Sequence, residues 1–279
     1  MKIGVIDVGG GLRGSYTAGV YDWCHDNDIR FDYCMGISAG SANLSSYLAW
    51  QRGRNLKFYT DYDLRPECMG MKNYLKTRNF VDLEYVYGDL SNSYGEYPLD
   101  YDAVNNNPAE FTIVATDAET GKPHYFTKAD IKRDDFAPIK ASSCVPAANK
   151  PYMVNGRMYY DGGISDPIPV EKCFEDGCDK VVLLLTRPRD FVRNPDKDKL
   201  TSALIRRKYP AAADAMSRRA VRYNVELWLA KQYEKKGKLL IVAPDDIGKM
   251  STLTKDPEMI EALYYKGYRD AEVIREFVK

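Results

Sequence analysis

Two glycine-dense turns, each set between an apolar strand and a helix, constrain this chain more than any other feature. Lys2 to Val8 reads as a buried strand that runs into Gly9-Gly10-Gly11-Leu12-Arg13-Gly14. Arg13 to Asn27 reads as a helix, with Tyr16, Val20, Trp23 and Cys24 on one face. Phe31 to Gly36 reads as a second short strand, Gly36-Ile37-Ser38-Ala39-Gly40 as a sharp turn, and Ala39 to Gln51 as a second helix. Strand, helix, strand, helix at this spacing is the pattern of a parallel sheet, because each helix returns the chain to the same edge of the next strand and covers one face.

The same architecture continues downstream. Phe111 to Ala115 reads as a strand, Asn155-Gly156 as a two-residue hairpin turn between Tyr152–Val154 and Arg157–Tyr160, and Lys180 to Leu185 as a continuous apolar strand from the middle of a parallel sheet. Leu83 to Tyr101, rich in Tyr, Gly, Asp and Ser, reads mostly as loop. Ala211 to Lys236 has a long helical pattern, Lys238 to Val242 is a strand, and Asp256 to Val278 is a closing helix. No linker, repeat or low-complexity tract divides the 279 residues. The expectation is one α/β domain over 1–279, with a motif-bearing core to about 186 and a helical part over about 187–279.

Lys and Arg balance Asp and Glu at 40 each, so no global bias toward nucleic acid exists and no nucleic-acid partner is expected. Met1-Lys2 runs directly into a strand without a signal segment, and no apolar stretch approaches a membrane span, so a soluble cytoplasmic protein is expected. Six cysteines without a Cys-x-x-Cys pair, and only two histidines, argue for idle or structural thiols and against a disulfide framework or a metal site. No cofactor is expected.

Gly36-Ile37-Ser38-Ala39-Gly40 matches G-x-S-x-G in the context that gives the motif meaning, directly after a strand and directly before a helix. A serine on such a turn has its hydroxyl lifted out of the sheet, small neighbours relieve crowding, and the helix N-terminus points its amides at the site. Ser38 is therefore a candidate nucleophile. Gly9 to Gly14 matches G-x-G-x-x-G, which also opens dinucleotide-binding folds. That use expects an acidic residue at the end of the second strand to hold a ribose; here Asp32 stands at the strand's start, and its end carries Ser38. The alternative use of such a loop is to turn several N–H groups toward one point, as an oxyanion requires.

A serine nucleophile needs a base. No histidine follows His124, and both His124 and His25 sit in contexts that suit structural roles. Asp161-Gly162-Gly163, at the exit of the hairpin strand, supplies the remaining candidate. A free aspartate, near ~3.9, is a weak base, but a desolvated pocket raises its basicity.

The three segments in this order, Gly9 to Gly14, Gly36 to Gly40 and Asp161 to Gly163, resemble the patatin-like phospholipase family, whose pattern is G-x-G-x-x-G, then G-x-S-x-G, then D-G-[AG]. Gly14-Ser15-Tyr16-Thr17-Ala18-Gly19-Val20, Ala141-Ser142-Ser143 with Pro146, and Asp161 to Pro169 are similar to its bacterial branch. The resemblance implies a three-layer α/β/α fold with a mainly parallel sheet, lipid acyl esters as substrates, and a Ser38–Asp161 dyad that needs neither histidine nor metal. It assigns the oxyanion loop to the amides around Gly10, Gly11 and Leu12, and matches Arg13 to a basic position that holds the loop or a phosphate. An acyltransferase using the same dyad, or a nucleotide- or lipid-binding protein without turnover, are the other readings.

From Thr201 to Leu240 the chain carries ten basic residues, Arg218, Arg219 and Arg222 among them, against Asp214, Glu226 and Glu234. Val221, Val225, Leu227, Trp228 and Leu229 interleave with them. One expectation is a helix with a greasy and a basic face that rests on an anionic membrane. The competing one is a helix whose apolar face packs on the sheet while its basic face is solvated.

Overall fold

A computed structural model describes residues Met1–Lys279. In chain order it contains β1 (Ile3–Asp7), α1 (Ser15–Asp26), β2 (Tyr33–Ile37), α2 (Ala39–Leu48), α3 (Arg54–Thr60), α4 (Met71–Thr77), α5 (Tyr101–Asn106), β3 (Glu110–Asp117) and β4 (Pro123–Thr127). Then follow α6 (Ala137–Ser142), β5 (Tyr152–Val154), β6 (Arg157–Asp161), α7 (Val170–Glu175), β7 (Lys180–Leu184), α8 (Asp196–Arg206), α9 (Pro210–Lys235), β8 (Leu239–Val242), α10 (Pro257–Asp270) and α11 (Ile274–Phe277).

The strands form one sheet in the order β5-β6-β3-β2-β1-β7-β8, with β4 also on β3. β3, β2, β1, β7 and β8 are mutually parallel, and the hairpin β5–β6 joins antiparallel through β6 to β3. The central strands are apolar on both faces because both are covered. Val5, Cys34, Ile113, Val182 and Leu184 face one layer, with Tyr16, Val20 and Leu44 from α1 and α2 and Ile260 from α10. Their chain neighbours Ile6, Met35, Val114, Val181 and Leu183 face the other, with Val170 of α7 and Tyr223 and Leu227 of α9. The period-two alternation of strand side chains thus builds the three-layer α/β/α fold. Each large aliphatic side chain so buried contributes roughly 1.5–3 kcal/mol.

Several boundaries move for local reasons. The first helix begins at Ser15 because Gly11–Gly14 coil into a tighter 3-10 turn. The second strand is shifted to Tyr33–Ile37, and the closing helix is interrupted by a 3-10 turn at Ala271–Val273. Leu83 to Tyr101 is loop apart from a helical segment over 83–89, π-helical from Tyr85, and the first residue of α5. All six cysteines are free and buried.

α10 packs against α1 at a pair of glycines. A Cβ on Gly19 would overlap the Tyr264 carbonyl, and one on Gly267 the Tyr16 carbonyl, so neither helix can carry a side chain there at this separation. The close approach lets Tyr264 donate its hydroxyl to Asp22 at 2.7 Å and Tyr16 to Asp270 at 2.8 Å, tying the last third of the chain to its first helix. Gly267→Ala must push α10 off α1, since the obstruction is backbone rather than a flexible side chain. Overpacking of this kind costs about 1–3 kcal/mol. A thermal melt should show a fall of several degrees, roughly 2–4 °C per kcal/mol at this size; an unchanged midpoint would show that the helices separate freely.

Candidate active site

Ser38 is the single residue between β2 and α2, at φ 56° and ψ −133°. This is a left-handed region that a serine enters at a strain of roughly 1–3 kcal/mol, so its surroundings must hold it there. They do so on both sides of the residue. The Ser38 amide donates to Ser142 Oγ at 2.8 Å, Ser142 donates in turn to the Val114 carbonyl at 2.6 Å, and Ser41 Oγ donates to the Ser38 carbonyl at 2.7 Å. Gly36 and Gly40 are required by proximity: a Cβ on Gly40 would lie 2.7 Å from the Asp7 carboxyl, and one on Gly36 2.5 Å from Ser41 Cα.

Asp161 ends β6 and is brought to Ser38 by the sheet, because β6 pairs with β3 at Ala115 and β3 pairs with β2 up to Ile37. Its amide donates to the Cys144 carbonyl at 2.8 Å and its carbonyl accepts the Thr116 hydroxyl at 2.8 Å. Oδ1 accepts the Gly163 amide at 2.8 Å. Gly162 abuts the Val114 carbonyl with no room for a Cβ. Burial pushes the Asp161 carboxyl above the ordinary aspartate range; the charge of Arg219, the Ser38 hydroxyl and the Gly163 amide pull the other way and lose. The Ser38 hydroxyl approaches the carboxylate without closing a well-aligned hydrogen bond, a looseness common in sites without a bound substrate.

The glycine loop turns at Gly9, Gly10 and Gly11, with φ values of 64°, 136° and 58°. The Gly9 amide donates to Asp7 Oδ1 at 2.9 Å, and its carbonyl accepts Thr186 Oγ1 at 2.5 Å. The Leu12 amide donates to the Thr252 carbonyl at 3.0 Å. Of the three expected oxyanion amides, Leu12 is therefore already engaged, and Gly10 and Gly11 are the two left to face a ligand. Asp7, fully buried beneath the loop, is pushed up to about 6 by its burial.

Ser38, Asp161, Gly163 and the loop from Gly9 to Arg13 line one cavity of about 420 Å3. Apolar side chains extend its wall, including Phe58, Tyr59, Val86, Leu99, Phe136 and Ile139. Arg187, Arg193, Arg219 and Tyr223 also line it. These four carry no motif, and only Arg219 stood out in the sequence, as one of a basic helix face. Arg219 instead lines the cavity, 3.9 Å from Asp198. The histidines lie elsewhere. His25 Nε2 stands 3.1 Å from the Tyr47 carbonyl beneath Trp50, and His124 sits on β4 against Phe126 and Tyr159. Asp32, the residue a ribose would need, accepts the Ile3 amide at 2.7 Å at the opposite end of β2. No cluster of three His, Cys, Asp or Glu side chains is arranged to hold a metal ion.

The family model for patatin-like phospholipases matches residues 8–174, which include the glycine loop, Ser38 and Asp161. The chain belongs to the patatin-like phospholipase family. A second model, a domain of unknown function (DUF6363), matches residues 209–276, which hold α9, β8 and α10. Among curated proteins, this patatin-like chain is 29% identical over 199 residues to the uncharacterized protein YjjU of Escherichia coli, covering 70% of the chain and 54% of that protein. It is 38% identical over 68 residues to an uncharacterized NTE family protein of Mycobacterium tuberculosis, covering 24% of the chain and 18% of that protein. The chain thus spans about half the length of the first relative and less of the second. Its fold is similar to that of VipD from Legionella pneumophila, with a TM-score of 0.50 at 13% identity over 99% of this chain and 66% of that one.

The raised Asp161 has a consequence for stability that is independent of turnover. A carboxyl whose folded value exceeds its unfolded one stabilises the fold below the unfolded value, and that contribution is lost as pH rises through the folded one. Asp161→Asn keeps an acceptor for Gly163 and removes the buried charge. The variant should therefore melt higher than the parent at pH 7.5 and lose this advantage as pH approaches 4. A lower melting point at pH 7.5 would mean that Arg219 outweighs desolvation.

Proposed function

We propose that this patatin-like phospholipase is a serine acyl hydrolase, of phospholipase A or lipase type, that cleaves lipid acyl esters with a Ser38–Asp161 dyad. Family membership and the VipD-like fold support lipid hydrolase activity. The observation that carries the finer reading is Ser38 itself: a serine held at φ 56° on a strand-to-helix turn, in one cavity with a buried aspartate and the glycine loop.

In this reading Ser38 Oγ attacks the ester carbonyl while its proton passes to Asp161. The carbonyl oxygen becomes an oxyanion held by the Gly10 and Gly11 amides, a type of interaction worth about 3 kcal/mol per donor. The tetrahedral species collapses, Asp161 returns the proton to the departing alcohol, and an acyl-Ser38 ester remains. Water, deprotonated by Asp161, then releases the fatty acid and restores Ser38. Desolvation makes Asp161 a better base than free aspartate, while the charge of Arg219 favours its ionised form. Activity should accordingly fall as pH drops through a value above the ordinary carboxylate range. The apolar wall from Phe58 to Ile139 supplies a berth for the acyl chain.

We take the whole chain to act as one unit, because both the motif-bearing part and α9 line the cavity and α10 clasps α1. Six free buried thiols support a reducing, cytoplasmic setting. No helix is long and apolar enough to cross a membrane.

Contact with an anionic membrane surface is part of the proposal, in altered form. The five apolar residues expected on one face of α9 divide: Leu227 is buried against the sheet, whereas Val221, Val225 and Trp228 point outward, each more than half exposed. The inner face is made largely of Ala212, Ala213, Ala220 and Ala230. The outward stripe at i, i+4 and i+7 is flanked by exposed Arg218 and Arg222, a pairing of apolar and basic groups that suits an anionic lipid surface.

Two experiments test these points. Ser38→Ala should lose at least about 100-fold of p-nitrophenyl ester turnover and all labelling by a fluorophosphonate, while the double variant His25→Gln, His124→Gln stays active. A folded but inactive double variant would instead indicate a triad. Co-sedimentation with anionic vesicles should weaken as salt rises and fall further for Val225→Glu, Trp228→Glu; equal binding to neutral vesicles, or none, excludes the membrane face.

A further inference from the structure

Four guanidinium groups meet in the wall of the cavity that holds Ser38 and Asp161: those of Arg13, Arg187, Arg193 and Arg219. Two of them bracket the dyad. A Cβ built on Gly10 would lie 3.1 Å from Arg13 Nη2, and one built on Gly163 would lie 3.4 Å from Arg219 Nη2. The carboxylates near them are few. Arg193 is held by Asp198 through two hydrogen bonds of 2.8 and 3.0 Å, and Arg219 stands 3.9 Å from the same carboxylate. Asp161 is the second acid within their field. Asp63 also lines the cavity, but burial pushes it up to about 7, and it does not act on these arginines. A fifth arginine of the wall, Arg54, is held separately by Ser46, Ser91 and the Tyr97 carbonyl.

The cluster therefore carries about two positive charges more than its own carboxylates neutralise. Arg13 is only 6% exposed, forms no ion pair, and has a buried Nε without an acceptor. Arg219 Nε is likewise buried without one. Arg187 forms no ion pair either; its guanidinium rests on the Phe191 ring at 4.2 Å. Burial, followed by repulsion from Arg187, brings Arg13 down to about 9. Isolated buried cations are among the least favourable arrangements a protein can keep, and a guanidinium fork is shaped to hold a phosphate through two parallel hydrogen bonds. Three of the four arginines come from residues beyond the 8–174 match to the family, so this part of the wall is supplied by the chain's own last third.

We propose that Arg187, Arg193 and Arg219, with Arg13, form a phosphate pocket beside Ser38, and that the preferred substrate is an acyl lipid whose head group is a phosphate monoester. This rests on the serine hydrolase reading and names the substrate class for that site. A phosphate monoester carries about −1.5 to −2 charges at pH 7, which matches the surplus. A phosphocholine head group would bring a quaternary ammonium into the same space. Such a cation is held by an open aromatic face or a free carboxylate. Here the Phe191 face is already covered by Arg187, and Asp198 is engaged by Arg193.

Two measurements test the pocket. In Ser38→Ala protein, inorganic phosphate titrated against chloride at constant ionic strength should raise the melting temperature saturably, and Arg187→Gln in that background should abolish the rise. Arg187 has no structural ion pair, so its loss leaves the fold intact; Arg193→Gln serves as the second variant. With wild-type enzyme in neutral detergent micelles, two diacyl lipids with identical chains are compared, one ending in a phosphate monoester and one in phosphocholine. The monoester should be favoured in kcat/KM by about tenfold or more, the scale of one charge-assisted hydrogen bond, and Arg187→Gln should erase that ratio. Equal rates on the two head groups together with no phosphate-induced rise in melting temperature, p-nitrophenyl ester turnover being intact, would overturn the pocket and leave the serine hydrolase standing. Phosphate binding without a head-group preference would mark a site for free phosphate and overturn the substrate assignment. Ester turnover that survives Ser38→Ala would strike the hydrolase reading itself, whatever phosphate does.

Discussion

The Val114 carbonyl is the point on which the arrangement of the site depends. It accepts the Ser142 hydroxyl, which accepts the Ser38 amide and so fixes the strained turn at Ser38. The same carbonyl is the surface against which Gly162 packs, one residue after Asp161. One backbone oxygen within β3 thus sets both candidate dyad residues, which arrive from different strands. Because β3 is fully buried from Phe111 to Asp117 and paired on both sides, this reference point cannot drift. The strain at Ser38 persists because rigid neighbours on three elements hold it.

What the sequence reveals of this arrangement follows from how local each requirement is. Ser38 stands out because a strand, a one-residue turn and a helix must be written in consecutive residues. Asp161 stands out less, since Asp-Gly is common in turns, and its position opposite Ser38 comes from the β6–β3 pairing, which no local pattern encodes. The engagement of Leu12 by Thr252, 240 positions away, is invisible for the same reason. The convergence of Arg187, Arg193 and Arg219 is wholly tertiary. Helix α9 was legible as a helix and misleading as a surface. Its inner face mixes four alanines with Met216, Tyr223 and Leu227, and alanine contributes little to an apolar periodicity. Val221, Val225 and Trp228, which strengthen that periodicity, point outward instead. The short helices α3 to α8 left little trace because six to eleven residues hold too few turns for a pattern.

The electrostatics of the cavity have a direction. Burial raises the Asp161 carboxyl above the ordinary aspartate range, and the charge of Arg219 beside it pulls the other way. Arg219 in turn is kept in a buried position by Asp198 and Asp161 together. The last third of the chain therefore tunes a residue that the family-matched core supplies, through a helix outside that match. The chemistry of the serine turn and the charge state of its partner are separable in sequence and joined in space.

The glycine contact between α1 and α10 also governs the order of events during synthesis. Helix α1 is made long before its partner, because the face that carries Gly19 meets α10 only when Gly267, 248 positions later, has been made. Until then Tyr16 and Val20 have no cover from α10, and until Lys180–Leu184 has been made β1 is an open edge of the sheet. The nascent chain must keep an incomplete parallel sheet in solution until β7 and β8 have been made, the circumstance in which exposed strand edges recruit chaperones or aggregate. In a fold sealed by a helix so far along the chain from its partner, whatever forms early is provisional until that helix docks.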